Sequence, residues 1–148
     1  LLLALVLAIA ACGDSATDSA TGPQNPEDVT FAAALGIDLA VMTELPSGVF
    51  IQTLHASGVG NSMAANDRFT AQYQGWTPDG KGFDSGTLSN YRLDQLISGF
   101  AGMVGMTVGE TRLLVIPSQL GYGSAGVEGA IPPNAVLVFE VTLLAINP

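Results

Sequence analysis

The stretch IPSQLGYGSAGVEGAIPPNAVLVFEV, from Ile116 to Val141, decides the fold. Its glycines between positions 121 and 126 fit the pattern G-x-G-x-x-G, which in nucleotide-binding proteins opens a helix that holds a pyrophosphate. Here a further glycine and a Pro-Pro pair follow at once, and these residues prevent a regular helix. We therefore interpret the stretch as a loop that places Tyr122 and Ile131 beside a strand carrying Phe139, as parts of an apolar pocket.

The chain around this stretch is predicted to form strands and one short helix. Alternating or continuous apolar residues predict strands over GVFIQTLHAS (48–57), RFTAQYQGW (68–76), TRLLVIP (111–117) and AVLVFEVTLLAI (135–146). In LDQLISGFAGMVGM (93–106), helical spacing predicts a short helix whose buried face carries Leu96, Ile97, Phe100, Met103 and Val104, although its glycines weaken it. An α+β domain with this helix across the concave face of an antiparallel sheet buries both apolar surfaces.

Composition excludes several classes of function. Four basic residues against thirteen acidic ones give a net charge of −9, which argues against nucleic acid as a partner and against charge-driven docking on anionic lipid. His55 is the only histidine and Cys12 the only cysteine, so a histidine-based metal cluster and an internal disulfide are excluded. Ser124 lacks the first glycine of the nucleophile-elbow pattern, so serine hydrolysis is not predicted.

The N-terminal run LLLALVLAIAAC has the features of a bacterial lipoprotein signal. It is too short to span a bilayer as a helix, and it ends in small residues before Cys12. The ending IAAC resembles a lipobox, in which the cysteine thiol receives lipid before cleavage. We predict that residues 1–11 are part of a signal peptide and that Cys12 is the lipid attachment site, the alternative being an ordinary buried thiol.

This signal predicts a place in the bacterial cell envelope, with the protein anchored in the membrane and facing the periplasm or the exterior. Gly13 follows the cysteine where an aspartate is associated with retention in the inner membrane, which favours the outer membrane. The polar residues 12–28 are predicted to form a flexible linker after the lipidated cysteine, because they contain too little apolar surface to fold. Residues 29–45 are an N-terminal extension for which two interpretations stay open, a short helix or a segment packed on the domain edge, and 46–148 are predicted to form the domain.

Three motifs in order, YQGWTPDGKGFDSG, LISGFAGMVGMTVGE and IPSQLGYGSAGVEGAIPPNAVLVFEV, resemble the FKBP-type peptidyl-prolyl cis-trans isomerases. The resemblance covers about residues 46–146. It implies a five- to six-stranded antiparallel sheet wrapped around one short helix, with an apolar pocket between them. It also implies an enzyme that accelerates rotation about X-Pro bonds during extracytoplasmic protein folding, through its apolar pocket and without metal, cofactor or covalent chemistry.

The same resemblance assigns roles to residues of this sequence. It implies that Asp84, Tyr122 and Phe100 act in catalysis. It implies that substrate is bound by Tyr73, Phe83, Tyr91, Leu96, Ile97, Ile131 and Phe139. The implied partners are proline-containing polypeptides and macrolide ligands. Val127 and Ala130 are smaller than the residues of some family members at these positions, which implies a light flap over the pocket.

Other interpretations of the same residues remain open. Phe100 and Phe139 would be plain core residues without the three motifs, because buried aromatics are common. Asp84 suits a turn or a cap, and Tyr122 suits an exposed loop. Two alternatives to an isomerase therefore stay open: a prolyl-peptide-binding or chaperone module with little turnover, and a structural envelope lipoprotein whose pocket is filled by side chains.

Overall fold

A computed structural model describes residues 22–148, so the predicted signal segment and Cys12 lie outside the described residues. Six strands form one sheet: β1 Thr43–Glu44, β2 Phe50–His55, β3 Arg68–Trp76, β4 Gly82–Tyr91, β5 Thr111–Ile116 and β6 Leu137–Asn147. The strand order is β1-β2-β5-β6-β3-β4, and every neighbouring pair is antiparallel. The predicted α+β class and the antiparallel sheet around one short helix are confirmed.

The helical turns of the described chain are all short 3-10 helices. They span Pro26–Asp28, Ala33–Leu35, Leu39–Val41, Leu93–Gln95, Ser98–Met103 and Ser118–Leu120. The longest of them, Ser98–Met103, lies against β5 on the concave face and is the helix that the sequence predicts. We call it the pocket helix.

Two glycines allow the pocket helix to sit close to the sheet. With three residues per turn, Gly99 and Gly102 fall on one side of the helix. A Cβ at Gly102 would lie 2.9 Å from Leu114 Cδ2, and one at Gly99 would lie 2.6 Å from Ile116 Cδ1. The glycines therefore permit close contact with β5.

The predicted helix was wrong at both ends. Leu96 and Ile97 precede the pocket helix in extended backbone, with ψ of 172° and 145°. Val104 is 42% exposed, so it does not belong to the buried face. Phe100 and Met103 are three residues apart and do lie inside, as one row of a helix with three residues per turn.

Both faces of the sheet are covered, which is why every residue of β5 is buried. The concave face carries the main core and the pocket helix. The convex face carries a second apolar cluster, formed by Phe50, Leu113, Val115, Val136, Val138 and Trp76. The predicted strand with two apolar faces thus lies between two cores.

Residues 29–42 cover that convex face, and we call them the back strap. Apolar side chains of the strap pack on the second cluster, namely Val29, Phe31, Leu35, Ile37, Leu39 and Met42. The Asp38 carboxylate accepts a hydrogen bond from the Ala40 amide at 3.0 Å and so caps the turn Leu39–Val41. The extension continues into β1, which pairs with β2 at the sheet edge.

The end of the predicted linker also contacts the domain. Pro26 is buried, and Gln24 exchanges two hydrogen bonds with Ser118. Within residues 22–148, no helix has the length and apolarity needed to cross a membrane.

Candidate functional site

A cleft opens on the concave face between the pocket helix, β4 and the loop after β5. Its volume is about 390 Å³, and it is lined by Tyr73, Asp84, Leu88, Gln95, Leu96, Ile97, Phe100, Tyr122 and Phe139. This volume lies in the range of small-ligand sites, roughly 300–1,000 Å³. Another depression of about 350 Å³ is lined mainly by polar residues, among them Gln72, Gln74 and Glu140, and it lacks an apolar floor.

Aromatic rings form the floor of the cleft. The ring centroids of Phe100 and Phe139 are 4.9 Å apart and inclined at 64°. Tyr73 adds an edge contact to Phe100 at 6.5 Å. Phe100 and Phe139 are only 4% and 3% exposed, so their rings are fixed by packing. The arrangement is edge-to-face, the geometry that aromatic quadrupoles favour.

Gly75 makes room for two of these rings. It lies on β3 opposite Phe139 of β6 and Asp84 of β4. The rings of Phe83 and Phe139 pack edge to face across it, with centroids 5.4 Å apart. A side chain at Gly75 would meet both rings, so the wall of the cleft depends on this glycine.

Tyr73 and Asp84 form a hydrogen-bonded pair at the rim. The Tyr73 hydroxyl donates to Asp84 Oδ2 at 2.8 Å. A shift in the β3–β4 register next to this pair, where Gly75 opposes Asp84 and Trp76 opposes Gly82, leaves Phe83 as an extra residue in β4. Burial, followed by the hydrogen bond to Asp84 and its charge, raises the pKa of Tyr73 to about 12. Tyr73 therefore stays protonated at neutral pH and holds the carboxylate in place.

Tyr122 stands on the opposite rim, on the loop after the turn Ser118–Leu120. Its side chain is 39% exposed, and no hydrogen bond from its hydroxyl is found among residues 22–148. The Ser118 carbonyl accepts hydrogen bonds from the amides of Gly121 and Gly123, which flank the tyrosine. The hydroxyl is thus free to donate to a ligand while the backbone on both sides is held.

A buried ion pair fixes the far end of the pocket helix. Arg112 of β5 donates to the carbonyls of Gly102 and Val104 at 2.8 and 3.1 Å, and it contacts Glu110 Oε1 at 2.7 Å. Burial acts against the charge of Glu110, but hydrogen bonds from the Thr107 amide, from Arg112 and from Thr53 together hold its pKa below the usual range. The pair ties the helix that carries Phe100 to the centre of the sheet.

The cleft brings together seven of the ten predicted pocket residues. Asp84, Tyr122 and Phe100 line it, as do Tyr73, Leu96, Ile97 and Phe139. The other three lie outside its lining. Phe83 packs edge to face against Phe139, and Tyr91 is 38% exposed at the end of β4. Ile131 is buried in the loop that carries Val127 and Ala130, and it pairs with Val127.

Sequence reasoning missed two residues of the lining, Leu88 and Gln95. Leu88 is 8% exposed and lies opposite Ala71 of β3. It is the one large apolar side chain in the polar run TLSN, and an isolated apolar residue of this kind indicates a side chain that faces the core. Gln95 precedes the apolar pair Leu96-Ile97 and gave no signal.

The fold and the aromatic cleft define a class of protein. The profile of the family described as FKBP-type peptidyl-prolyl cis-trans isomerase matches residues 60–144. The chain belongs to this family.

Individual relatives agree with the assignment. The FKBP-type peptidyl-prolyl cis-trans isomerase FkpA of Escherichia coli (strain K12) is 36% identical over 140 residues, which cover 91% of this chain and 48% of FkpA. An FK506-binding protein of Neisseria meningitidis serogroup B is 39% identical over 106 residues, which cover 67% of this chain and 96% of that protein. The chain thus spans about half the length of FkpA but matches nearly all of the shorter relative.

Solved structures match in the same way. A peptidyl-prolyl cis-trans isomerase from Pseudomonas syringae pv. tomato aligns with a TM-score of 0.66 and 38% identity, over 72% of this chain and 81% of that one. The crystal structure of FkpA from Escherichia coli aligns with a TM-score of 0.65 and 38% identity, over 72% of this chain and 52% of that one.

Proposed function

We propose that the chain catalyses cis-trans isomerisation of X-Pro peptide bonds in the aromatic cleft. The observation that carries the proposal is the cleft itself, with the Phe100 and Phe139 rings as its floor and Tyr122 and the Tyr73–Asp84 pair at its rim. Family membership supports the same reaction.

The reaction requires rotation about one bond and no bond cleavage. The barrier is about 18–20 kcal/mol because rotation breaks amide resonance. The planar amide is more dipolar than the twisted one, so an apolar cavity raises the ground state relative to the transition state. The packed rings of Phe100, Phe139 and Tyr73 provide such surroundings and exclude water from a bound proline ring.

The rim groups position the peptide around that ring. Tyr122 and the amide of Ile97 donate to carbonyls of the substrate; both belong to the cleft lining, and neither donor is used in a hydrogen bond among the described residues. Asp84, held by Tyr73, acts on the twisting carbonyl through its charge. The chemistry therefore needs no general base and no metal.

A prolyl tetrapeptide anilide, cleaved only in the trans form by an added protease, tests the proposal. We expect catalysis above the spontaneous rate, a large loss in Phe100→Ala and a loss of roughly threefold to tenfold in Tyr122→Phe, from one hydrogen bond of about 1 kcal/mol. Tyr91→Phe is the matched variant, because Tyr91 is equally exposed but lies outside the cleft, and it should keep full activity. Folded protein without any catalysis would refute the enzymatic proposal.

A prolyl-peptide-binding or chaperone module with little turnover is the second candidate. The flap favours it, since Val127 is 39% exposed and Ala130 offers little surface to close over a substrate. Asp84→Val and Tyr122→Phe separate the two functions in the refolding of a client limited by proline isomerisation. If both variants assist refolding as well as the parent chain, binding outside the cleft is the better explanation.

We further propose that the protein is a lipoprotein of the cell envelope, anchored through Cys12, which acts on proline-containing clients outside the cytoplasm. The support is the apolar run with IAAC before a polar segment. Labelling with a lipid precursor tests the anchor: the label should disappear in Cys12→Ser, and its persistence would contradict the proposal.

Macrolide ligands are proposed for the aromatic cleft because a relative is named an FK506-binding protein. Competition between a macrolide and the tetrapeptide tests this.

A further inference from the structure

The segment that leads into the domain is attached next to the rim of the cleft. The Gln24 amide donates to Ser118 Oγ at 2.9 Å, and the Ser118 amide donates to the Gln24 carbonyl at 3.0 Å. The two residues are 94 positions apart, and Gln24 lies before the region 60–144 that the family profile matches. Both contacts from Gln24 are made by its backbone.

Ser118 also holds the backbone on both sides of Tyr122 through hydrogen bonds. Its carbonyl accepts the amides of Gly121 and Gly123 at 3.1 and 2.9 Å, so it fixes the residues on either side of the tyrosine. Ser118 is fully buried, with 0% exposure, so water cannot replace a lost partner. A buried polar group without its partner is costly, and the backbone would move to avoid that state.

We propose that Gln24 is a positioning residue for Tyr122, and that the N-terminal segment sets the geometry of the cleft rim through Ser118. The inference rests on the proposed function, because it assigns a cause to the placement of the rim hydroxyl. The segment thus affects the binding site indirectly, through the position of Tyr122.

The competing explanation is that the contact only fastens the N-terminal segment to the domain. In that case its loss would lower stability but would leave the loop and the effect of Tyr122 unchanged. Amide exchange in the loop and the coupling between Gln24 and Tyr122 distinguish the two explanations.

Variants of the full chain allow this test. Gln24→Pro removes the donating amide, and Ser118→Ala removes its acceptor from the other side. Gln24→Ala is the matched variant, because it changes the side chain and keeps both backbone hydrogen bonds. Using two variants on opposite sides of the contact keeps the test decisive if one of them folds poorly.

The first readout is amide hydrogen exchange at Gly121 and Gly123, which does not depend on activity. We expect exchange about fivefold faster or more in Gln24→Pro and Ser118→Ala, as for the loss of a hydrogen bond of about 1 kcal/mol. Gln24→Ala should match the parent chain. The Met63 amide, which donates to the Met106 carbonyl elsewhere in the domain, should exchange as before in all of them. Unchanged exchange at both loop glycines would overturn the proposal.

The second readout is a double-mutant cycle on tetrapeptide isomerisation. Gln24→Pro should lower kcat/KM about fivefold in the parent chain and have little further effect in Tyr122→Phe, because both changes act on one hydroxyl. Fully additive losses would overturn the route through Tyr122. If every form is folded but inactive, the proposed function fails, while the exchange rates still decide whether Gln24 holds the loop.

Discussion

Replacing Gly75 by alanine should damage the cleft from a position that no substrate touches. A Cβ at this position would lie 2.7 Å from Phe139 Cε1 and 2.7 Å from Phe83 Cζ. Carbon atoms in contact are normally about 3.5–4.0 Å apart, so at least one ring has to move by roughly 1 Å. Phe83 is half-buried and can yield, but Phe139 is held by Phe100 and Tyr73.

The expected cost follows from this geometry. Overpacking of a core usually costs about 1–3 kcal/mol, and alanine regains about 0.5–1 kcal/mol over glycine in a strand. We therefore expect a net loss of up to about 2.5 kcal/mol, with about 1 kcal/mol as the middle of the range, which lowers Tm by several degrees. A shift of about 1 Å in the Phe139 ring should also lower kcat/KM by roughly tenfold, because catalysis depends steeply on placement.

Thermal unfolding followed by circular dichroism and the protease-coupled tetrapeptide assay measure the two effects. Gly82→Ala is the matched control, since the nearest atom to its Cβ is Trp76 Cδ1 at 3.7 Å, an ordinary contact. It should keep its activity, and its Tm should stay the same or rise by a few degrees, because alanine costs less conformational entropy than glycine in a strand. If Gly75→Ala behaves like Gly82→Ala in both assays, the two rings are not constrained as the packing implies.

Three further changes test other parts of the molecule. Glu110→Gln leaves Arg112 buried without its partner and should cost about 3 kcal/mol in urea unfolding. Folding lowers the pKa of Glu110, so this carboxylate stabilises the folded state at pH values above its pKa in the unfolded chain, and the stabilisation is lost as pH falls through its pKa in the folded protein. The free energy of unfolding of the variant should therefore depend less on pH in the acid range. Tyr73 should titrate near pH 12 in phenolate absorbance, and its contribution to stability should disappear as pH rises from 10.0 to about 12. Tyr73→Phe should remove that step. Phe31→Ala in the back strap should lower the free energy of unfolding by about 1–2 kcal/mol and leave kcat/KM unchanged, because the strap contributes to stability and not to the cleft.

The sequence predicted the parts of the fold that follow from local pattern. Strand β3 runs from Arg68 to Trp76 as predicted, and its alternation places Phe69 and Ala71 in the core. In β6, the predicted row that includes Leu137 and Phe139 is buried. In these strands every second side chain faces the same core, so the period of two is visible in the residues themselves.

The parts that depend on a distant partner were not predictable in the same way. Gly99 and Gly102 look like weak helix positions, but they are needed where the pocket helix meets β5. The apolar residues Phe31, Leu35, Leu39 and Met42 of the back strap have roughly helical spacing, but the strap forms only short 3-10 turns because it packs along the second cluster of the sheet. The extra residue at Phe83 shifts the register by one, and no local pattern marks such a bulge.

The chain has a single tryptophan, and Trp76 packs in the cluster under the back strap while Phe100 occupies the floor of the cleft. The tryptophan fluorescence of this protein therefore has its source on the face opposite the cleft. An emission shift reports release of the strap or loss of the second core, whereas filling of the cleft leaves the emission almost unchanged. Phe100→Trp would place a second emitter beside the ligand, and its difference spectrum against the parent chain would record events in the cleft separately from those on the back of the sheet.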